Sequence, residues 1–183
     1  MRFLLSHLHS PLGELLLVTD DREQVRALDY ADHEARFHRI LREHYGRCEL
    51  VERLAPASIS DALTRYFEGE LGMLDRLPTA TAGTDLQRRV WRALRGIPGG
   101  TTTSYGKLAR ELGFGDPRAA IEIGAANGAN PIAIIVPCHR VIGSNGELKG
   151  YAGGPHRKRW LLGHEKALPI PVPIPRTASL PGF

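Results

Sequence analysis

The stretch IAIIVPCHRVIG, residues 132–143, constrains the fold more than any other part of the chain. Five apolar residues lead into a proline, a cysteine, a histidine and an arginine, after which the apolar run resumes. A run this apolar belongs in a core, so Cys138 must lie within or beside buried structure, with the base His139 next to it in sequence. The β-branched residues and the length of 132–136 predict a buried strand, which Pro137 ends.

The chain before this stretch predicts a small domain of strands and helices at 1–78, with an antiparallel sheet. Short apolar runs separated by turns predict the strands, and apolar residues at helical spacing predict the helices. The predicted strands are 2–8, 13–20 and 25–31, and the predicted helices are 33–46 and 60–71. Ser60 is the expected N-cap of the second helix, and the small, polar residues 75–84 are the expected linker.

The second part, 79–168, predicts helices around the apolar stretch. They span 85–97, 104–113, 116–131 and 156–168. Ser104 and Asp116 are the expected N-caps of the middle two, and a helix, a short turn and an Ala-rich helix are typical of a helix-turn-helix. The proline-alternating tail, 169–183, is predicted to be extended. The fold class is therefore predicted to be α/β, in the α+β sense.

The net charge of +4 conceals an asymmetry. Residues 1–84 carry ten arginines and fourteen acidic side chains, whereas residues 85–166 carry thirteen basic and six acidic ones. A basic second half is typical of a polyanion partner, although charge alone favours an ordinary solvated surface. No apolar run is long enough to span a bilayer and the N-terminus lacks a signal-peptide layout, so we expect a cytoplasmic protein with no membrane partner.

The two cysteines lie far apart in sequence and predict no disulfide, since a single bridge is uncommon in a cytosolic chain. Cys48 has no base beside it. No His/Cys cluster has metal-ligand spacing, so we expect neither a metal nor a cofactor.

Cys138 is the candidate nucleophile. Burial raises the pKa of a thiol, so activation needs a base, and His139 needs an acceptor that orients its ring. Adjacent side chains on extended backbone point in opposite directions, so a bridging water or a turn would have to connect the two, with Glu165 as the candidate acceptor. The alternative is an inert cysteine beside a satisfied histidine, which a bare Cys-His dipeptide would favour.

The wider sequence context resembles the O6-alkylguanine-DNA alkyltransferase family. The motifs that carry the resemblance are GTDLQRRVW, SYGKLA, AANGANPI, VPCHRVIG, GYAGG, RKRWLL and HE, in the order and spacing of that family. They cover residues 83–166 densely. Over residues 1–82 the resemblance is looser and rests on SPLGELLLV and LPTAT.

This resemblance implies a winged-helix-like helix-turn-helix domain and a single-turnover enzyme. Its members flip O6-alkylguanine out of double-stranded DNA and transfer the alkyl group to their own cysteine. Cys138 would be the acceptor, His139 would take its proton through a water, Glu165 would hold the imidazole and Asn130 would support the turn. O4-alkylthymine is a possible second substrate, no cofactor is implied, and we expect a monomer.

The resemblance also implies the residues that bind the flipped base. Tyr105 would donate a hydrogen bond to the base, and the carbonyls of Cys138 and Val141 would accept from the guanine amine. The loop from Tyr151 through Ala152 and Gly153 would close the pocket, with the Ala152 amide near O6.

The implied DNA-binding residues lie on the helix-turn-helix: Arg118, Lys107, Ala120, Gly124 and Ile121. The family usually reads RAVG where this chain reads IEIG, so Ile121 stands in the place of an intercalating arginine. Isoleucine can still wedge a base step, but Glu122 would repel phosphate, so we expect weaker duplex binding. The alternative function is alkyl transfer from a free base, a single strand or a small donor. A non-catalytic binder of alkylated DNA is disfavoured because Cys138 is present.

Overall fold

The computed structural model describes residues 1–168, and the predicted tail at 169–183 lies outside the described residues. Strands and helices mix along the chain, which confirms the α+β class. The strands are Arg2–Leu8 (β1), Leu15–Thr19 (β2), Val25–Tyr30 (β3), Glu49–Glu52 (β4), Thr103–Ser104 (β5) and Val141–Ile142 (β6). The helices are Glu34–Tyr45 (α1), Ala57–Phe67 (α2), Asp85–Arg95 (α3), Tyr105–Glu111 (α4), Ala119–Gly128 (α5) and Pro155–His164 (α6).

The four-stranded sheet has the order β3-β2-β1-β4. The β1–β2 and β2–β3 pairs are antiparallel, but β4 pairs with β1 in parallel, with Phe3 opposite Leu50. The prediction of an antiparallel sheet is therefore wrong at its fourth strand. Helix α1 crosses over before β4, and a crossover lets the returning strand run parallel to its neighbour. The sequence ELVE has only two apolar residues, both half-buried, so it gave little strand signal.

Helix α2 begins at Ala57, three residues before the predicted N-cap. The amides of Ile59 and Ser60 both donate to the carbonyl of Pro56, so the first turn is already formed when the chain reaches Ser60. The Ser60 hydroxyl donates back to the carbonyl of Ala57 at 3.2 Å instead of capping the helix. The Ser60 cap prediction is therefore wrong.

The helix-turn-helix consists of α4 and α5, which pack against each other across residues 112–118. Ser104 caps α4 as predicted, accepting a bond from the amide of Lys107 at 3.2 Å. The prediction that Asp116 caps α5 is wrong, because α5 begins at Ala119. The Asp116 carboxylate instead accepts the amide of Arg118 at 2.8 Å, within the turn that precedes the helix.

One hydrophobic core joins the N-terminal sheet to the helices that follow it. It includes Leu28 and Tyr66 from the first part and Val90, Leu108 and Cys138 from the second, all buried. A smaller core lies between the sheet and α1. None of the described helices is long and apolar enough to cross a membrane. The division into domains at 1–78 and 79–168 stays a prediction.

Candidate active site

The segment that leads to Cys138 is a series of buried turns. Ile132 forms one isolated bridge with Leu28 of β3, and Ile134 then adopts a φ of 68°, which a strand residue does not adopt. The predicted strand at 132–136 is therefore wrong, although the prediction that these residues are buried is right. Cys138 opens a single 3₁₀ turn, Cys138–Arg140, and does not follow a strand.

Asn130 supplies the hydrogen bonds that hold this turn. Its Nδ2 donates to the carbonyl of Val136 at 2.8 Å, and its Oδ1 accepts the amide of Ile132 at 3.0 Å. The same Nδ2 lies 3.1 Å from Sγ of Cys138. An amide donor at that distance stabilises a thiolate more than a thiol. Asn130 therefore both holds the turn and contacts the sulfur of the candidate nucleophile.

The 3₁₀ turn directs His139 toward the last helix. Its Nε2 lies 2.9 Å from Oε1 of Glu165, and both side chains are fully buried. Burial would raise the pKa of Glu165, but the hydrogen bonds and charges of His139 and Arg140 outweigh it and hold that pKa well below its usual range. Burial lowers the pKa of His139 despite the opposing effect of Glu165. A neutral imidazole beside a carboxylate carries its hydrogen on Nε2.

The other imidazole nitrogen, Nδ1 of His139, is buried and has no hydrogen-bond partner within the described residues. With the hydrogen on Nε2, Nδ1 presents a lone pair. No hydrogen bond joins Cys138 directly to His139 in the described part of the chain, although both lie on one 3₁₀ turn. The arrangement can accept a proton at Nδ1.

Glu165 is the most heavily bonded side chain of the site. Beyond His139, it accepts from Arg140 Nε at 2.9 Å and Arg140 Nη2 at 2.9 Å, and from the Tyr66 hydroxyl at 2.7 Å. Arg140 also donates to the carbonyl of Ile97 at 2.6 Å, so it joins the active-site turn to the segment that follows α3. These bonds fix the carboxylate at the C-terminus of α6.

Lys158 is a buried cation that sequence reasoning missed. It lies in the middle of α6 and its Nζ donates to the carbonyls of Val141 at 2.5 Å and Lys149 at 2.7 Å. Burial lowers its pKa to about 8. Burial also raises the pKa of the Cys138 thiol, while the Asn130 amide and the charges of Arg36 and Lys158 act in the opposite direction. Lys158 therefore ties the two ends of the 142–148 loop together and favours the thiolate.

Tyr105 lies at the start of α4 and faces α5, the second helix of the helix-turn-helix. A Cβ built on Gly124 would lie 3.8 Å from its ring, and its hydroxyl donates to the carbonyl of Lys149 at 3.2 Å. Burial raises the pKa of Tyr105, so its hydroxyl keeps its proton at neutral pH. Asn127, fully buried at the end of α5, places Nδ2 at 3.4 Å from the carbonyl of Cys138.

The loop Tyr151–Gly154 lies against both His139 and the N-terminal sheet. The rings of Tyr151 and His139 are 6.3 Å apart, edge to face, and Ala152 is half-buried beside them. Gly153 is buried, since a Cβ there would stand 2.6 Å from the Tyr151 ring and overlap Tyr30. Of the predicted base-binding residues, Tyr105 opens α4, Val141 lies in β6, and Tyr151, Ala152 and Gly153 form the loop before α6.

The predicted DNA-binding residues lie on both helices of the helix-turn-helix and in the turn between them: Lys107 is on α4, Arg118 precedes α5, and Ala120, Ile121 and Gly124 are on α5. Ile121 is 74% exposed, so its side chain is accessible to a partner of this helix. Arg118 forms an exposed pair with Asp116, and Lys107 forms one with Glu111 at 3.9 Å. Exposed pairs of this kind contribute little free energy, so both cations remain available to another anion. Ala120 and Gly124 are half-buried on the same helix.

The structure places four unpredicted side chains at the site: Tyr30, Arg36, Tyr66 and Lys158. The first three come from the N-terminal part, where the sequence carries no catalytic motif. Lys158 lies in a basic run, HRKRW, that is typical of an exposed helix face. Within residues 1–168, no three His, Cys, Asp or Glu side chains lie together as a metal site.

Comparison with known proteins adds a family match. The profile described as 6-O-methylguanine DNA methyltransferase, DNA binding domain, matches residues 85–167. A methylated-DNA–protein-cysteine methyltransferase of Salmonella typhimurium is 51% identical over 168 residues, which cover 90% of this chain and 96% of that protein. One from Mycobacterium tuberculosis is 56% identical over 107 residues, covering 58% of this chain and 63% of that protein.

Solved structures agree with these sequence matches. The crystal structure of Mycobacterium tuberculosis OGT in complex with DNA superposes with a TM-score of 0.74 at 40% identity, covering 90% of this chain and 93% of that chain. The O6-methylguanine-DNA methyltransferase of Pyrococcus kodakaraensis superposes with a TM-score of 0.67 over 89% of this chain and 98% of that chain. At 22% identity, this second likeness concerns the fold alone.

Proposed function

The chain belongs to the family of methylated-DNA–protein-cysteine methyltransferases, the O6-alkylguanine-DNA alkyltransferases, and from that premise we propose that Cys138 accepts the alkyl group. The protein repairs alkylated DNA by transferring the alkyl group to one of its own cysteines. The observation that carries the assignment to Cys138 is the buried Cys138–Asn130 contact beside the His139–Glu165 pair. The other cysteine, Cys48, is half-buried near α1, and no residue among 1–168 gives it such a partner.

The proposed reaction is a direct displacement. The Cys138 thiol gives its proton through a bridging water to Nδ1 of His139, which Glu165 stabilises as an imidazolium. The sulfur then bonds to the alkyl carbon while the bond from that carbon to O6 of guanine breaks. The electron pair of the broken bond stays on guanine, which takes up one proton from water, and the imidazolium of His139 returns the thiol proton to water. Because the thioether is not cleaved, each molecule acts once.

Recognition of O6-alkylguanine is proposed for the surfaces around the thiol. Tyr105 would turn its hydroxyl proton from the carbonyl of Lys149 to a base nitrogen, and the carbonyls of Cys138 and Val141 would accept from the guanine amine. The carbonyl of Val141 already accepts from Lys158, but a carbonyl oxygen has two lone pairs and can take a second donor. The Ala152 amide would lie near O6, and the loop through Tyr151 and Gly153 would cover the base.

Double-stranded DNA is the proposed partner of the helix-turn-helix. The basic charge of the second half supports this, and so does the DNA complex of the M. tuberculosis relative. Ile121 would enter the base stack as an apolar wedge, Lys107 and Arg118 would approach phosphates, and the small residues Ala120 and Gly124 would allow close approach. The alternative of a free-base or small-molecule donor has no support from the comparisons. A monomeric state and a cytoplasmic location stay predictions.

The test of the proposed function is the intact mass of the protein after incubation with a duplex that carries one O6-methylguanine. We expect a gain of one methylene per chain, mapped to the peptide that contains Cys138. The Cys138→Ser variant should gain nothing, and Cys48→Ser should behave like the wild type. A methyl group on Cys48, or no gain with methylated duplex, would overturn the assignment.

The IEIG sequence predicts that binding to DNA limits the repair rate. The double substitution Ile121→Arg and Glu122→Ala adds two units of positive charge at the exposed edge of α5. We expect transfer from methylated duplex, at DNA concentrations below saturation, to become about tenfold faster, and the slope of log affinity against log salt to steepen by about 2.

Leu54→Arg is the control for that prediction; it adds one of the two units of charge at a residue that is 96% exposed and lies in a loop outside the helix-turn-helix. An equal acceleration in Leu54→Arg would assign the effect to net charge. An unchanged rate in the Ile121→Arg, Glu122→Ala variant would show that these two positions do not limit repair.

A further inference from the structure

Tyr30, the last residue of β3, lies directly against the Tyr151–Gly154 loop, which we have proposed to cover the base. Its hydroxyl is 2.8 Å from the hydroxyl of Tyr151, and the two rings meet edge to face at 6.5 Å. Tyr30 is fully buried and Tyr151 is nearly so. The two hydroxyls are 121 residues apart in sequence, and they join the N-terminal sheet to the active-site loop.

Arg157 adds a second contact between Tyr30 and the Tyr151–Gly154 loop. Its guanidinium lies 4.0 Å from the ring centroid of Tyr30, a cation–π distance. The guanidinium also donates to the carboxylate of Asp32 at 2.8 Å, to the carbonyl of Leu12 at 3.2 Å and to the carbonyl of Gly153 at 3.4 Å. One buried arginine therefore bonds the loop, the sheet and the turn between β1 and β2.

The fit at Gly153 leaves the loop no room toward the sheet. A Cβ at this position would overlap the Tyr30 ring, so the loop backbone is in close contact with an aromatic wall that the N-terminal part supplies. Tyr151 in turn meets the ring of His139. Any change in the position of Tyr30 is therefore transmitted to the pocket through Tyr151 and Gly153.

We propose that Tyr30 is a positioning residue of alkyl transfer, which holds the Tyr151–Gly154 loop over the Cys138 pocket through its hydroxyl bond to Tyr151. The proposal rests on the proposed function and adds to it a role for the N-terminal sheet. A loop held in place pre-orients the base and its alkyl carbon for attack, which matters most for a methyl group. A benzyl group has more apolar surface of its own to orient it.

The test uses Tyr30→Phe, which keeps the ring against Gly153 and removes only the hydroxyl. Loss of one buried hydrogen bond predicts about a tenfold slower methyl transfer at saturating methylated duplex. Transfer from O6-benzylguanine should slow less, so the ratio of benzyl to methyl rates rises. Amides of the Tyr151–Gly154 loop should exchange hydrogen faster. Because the two hydroxyls bond each other, adding Tyr151→Phe to Tyr30→Phe should cost less than Tyr151→Phe alone.

Tyr45→Phe is the matched control. The Tyr45 hydroxyl also serves the N-terminal part, donating to the carbonyls of Arg26 at 3.3 Å and Ala80 at 3.2 Å, away from the loop. It should lower stability without changing the rate ratio or the loop exchange. The positioning role would be overturned if the wild type transfers methyl groups and Tyr30→Phe shows the same transfer rates, the same ratio of benzyl to methyl rates and the same hydrogen exchange in the loop. A wild type that transfers no methyl group to Cys138 would instead overturn the proposed function, while loop exchange would still report on the Tyr30 bond.

Discussion

Replacing Glu165 by glutamine is expected to remove about 3 kcal/mol of folding free energy and to slow methyl transfer about 100-fold. The carboxylate is the buried acceptor for His139, Arg140 and Tyr66, and a glutamine offers one oxygen and turns an NH₂ toward these donors. Arg140 would be left as a buried cation without an anionic partner, and the imidazolium formed during transfer would lose its counter-charge. Urea unfolding and single-turnover kinetics measure the two effects separately.

The stability difference should depend on pH in a defined direction. The folded-state pKa of Glu165 lies below its unfolded value of about 4.3, so its stabilisation is complete above that pH and is lost as the pH falls below it. The gap between wild type and Glu165→Gln should therefore be largest at neutral pH, begin to narrow below about pH 4 and go on narrowing as the pH falls toward the folded-state pKa. Tyr66→Phe is the control, because it removes one bond to the same carboxylate, keeps the charge and should cost about 1 kcal/mol. Equal gaps at pH 7 and pH 3 would contradict this account.

Asn130→Asp is expected to slow methyl transfer about 100-fold while keeping the shape of the side chain. The Oδ1 acceptor for the amide of Ile132 is retained, but the Nδ2 donor to the carbonyl of Val136 and to the sulfur of Cys138 becomes a carboxyl oxygen. A carboxyl group offers at most one hydrogen, and when ionised it places a negative charge beside the developing thiolate. The thiol pKa should rise.

The pH dependence of Cys138 alkylation by iodoacetamide measures that rise, at a temperature where circular dichroism shows both proteins folded. Asn145→Asp serves as the control. The Oδ1 of Asn145 accepts the amide of Glu147 at 3.2 Å in an exposed turn, and an aspartate there can make the same bond. If Asn130→Asp left the thiol pKa unchanged, Asn130 would be limited to supporting the turn.

The sequence predicted those parts of the fold whose signals are local. Apolar periodicity located α1 and α3, and Ser104 marked the start of α4, because burial and capping act within one or two turns of helix. The pairing of β4 depends on a crossover, and α2 begins early because of Pro56. Neither depends on residues within the predicted element itself.

The segment 132–136 shows why composition alone failed. Its five apolar residues are buried as predicted, but Asn130 takes up the backbone groups that a neighbouring strand would otherwise bond. The backbone polar groups of these turns are therefore as well hydrogen-bonded as they would be in a strand. Periodicity cannot distinguish these outcomes, because a run that is apolar at every position has no period.

The candidate site, like the fold, contains residues that the sequence indicated and residues that it did not. Motif context indicated Cys138, His139 and Glu165, and the structure brings them together with Asn130. The sequence did not indicate Tyr30 or Lys158, because their roles come from contacts between elements that are distant in sequence. A tyrosine ending a strand and a lysine in a basic run have many more common explanations than a place in an active site.

Helix α6 links three separate parts of the site into one rigid body. The covering loop ends at its first residue, Pro155, Lys158 in its second turn ties the 142–148 loop, and Glu165 follows its last residue. Ten residues of helix span only about 15 Å and bend little. A tilt of the helix would therefore move loop, cation and carboxylate together. Substitutions meant to change substrate range alone should therefore leave α6 unchanged and be made on the side of the Tyr151–Gly154 loop that faces the sheet.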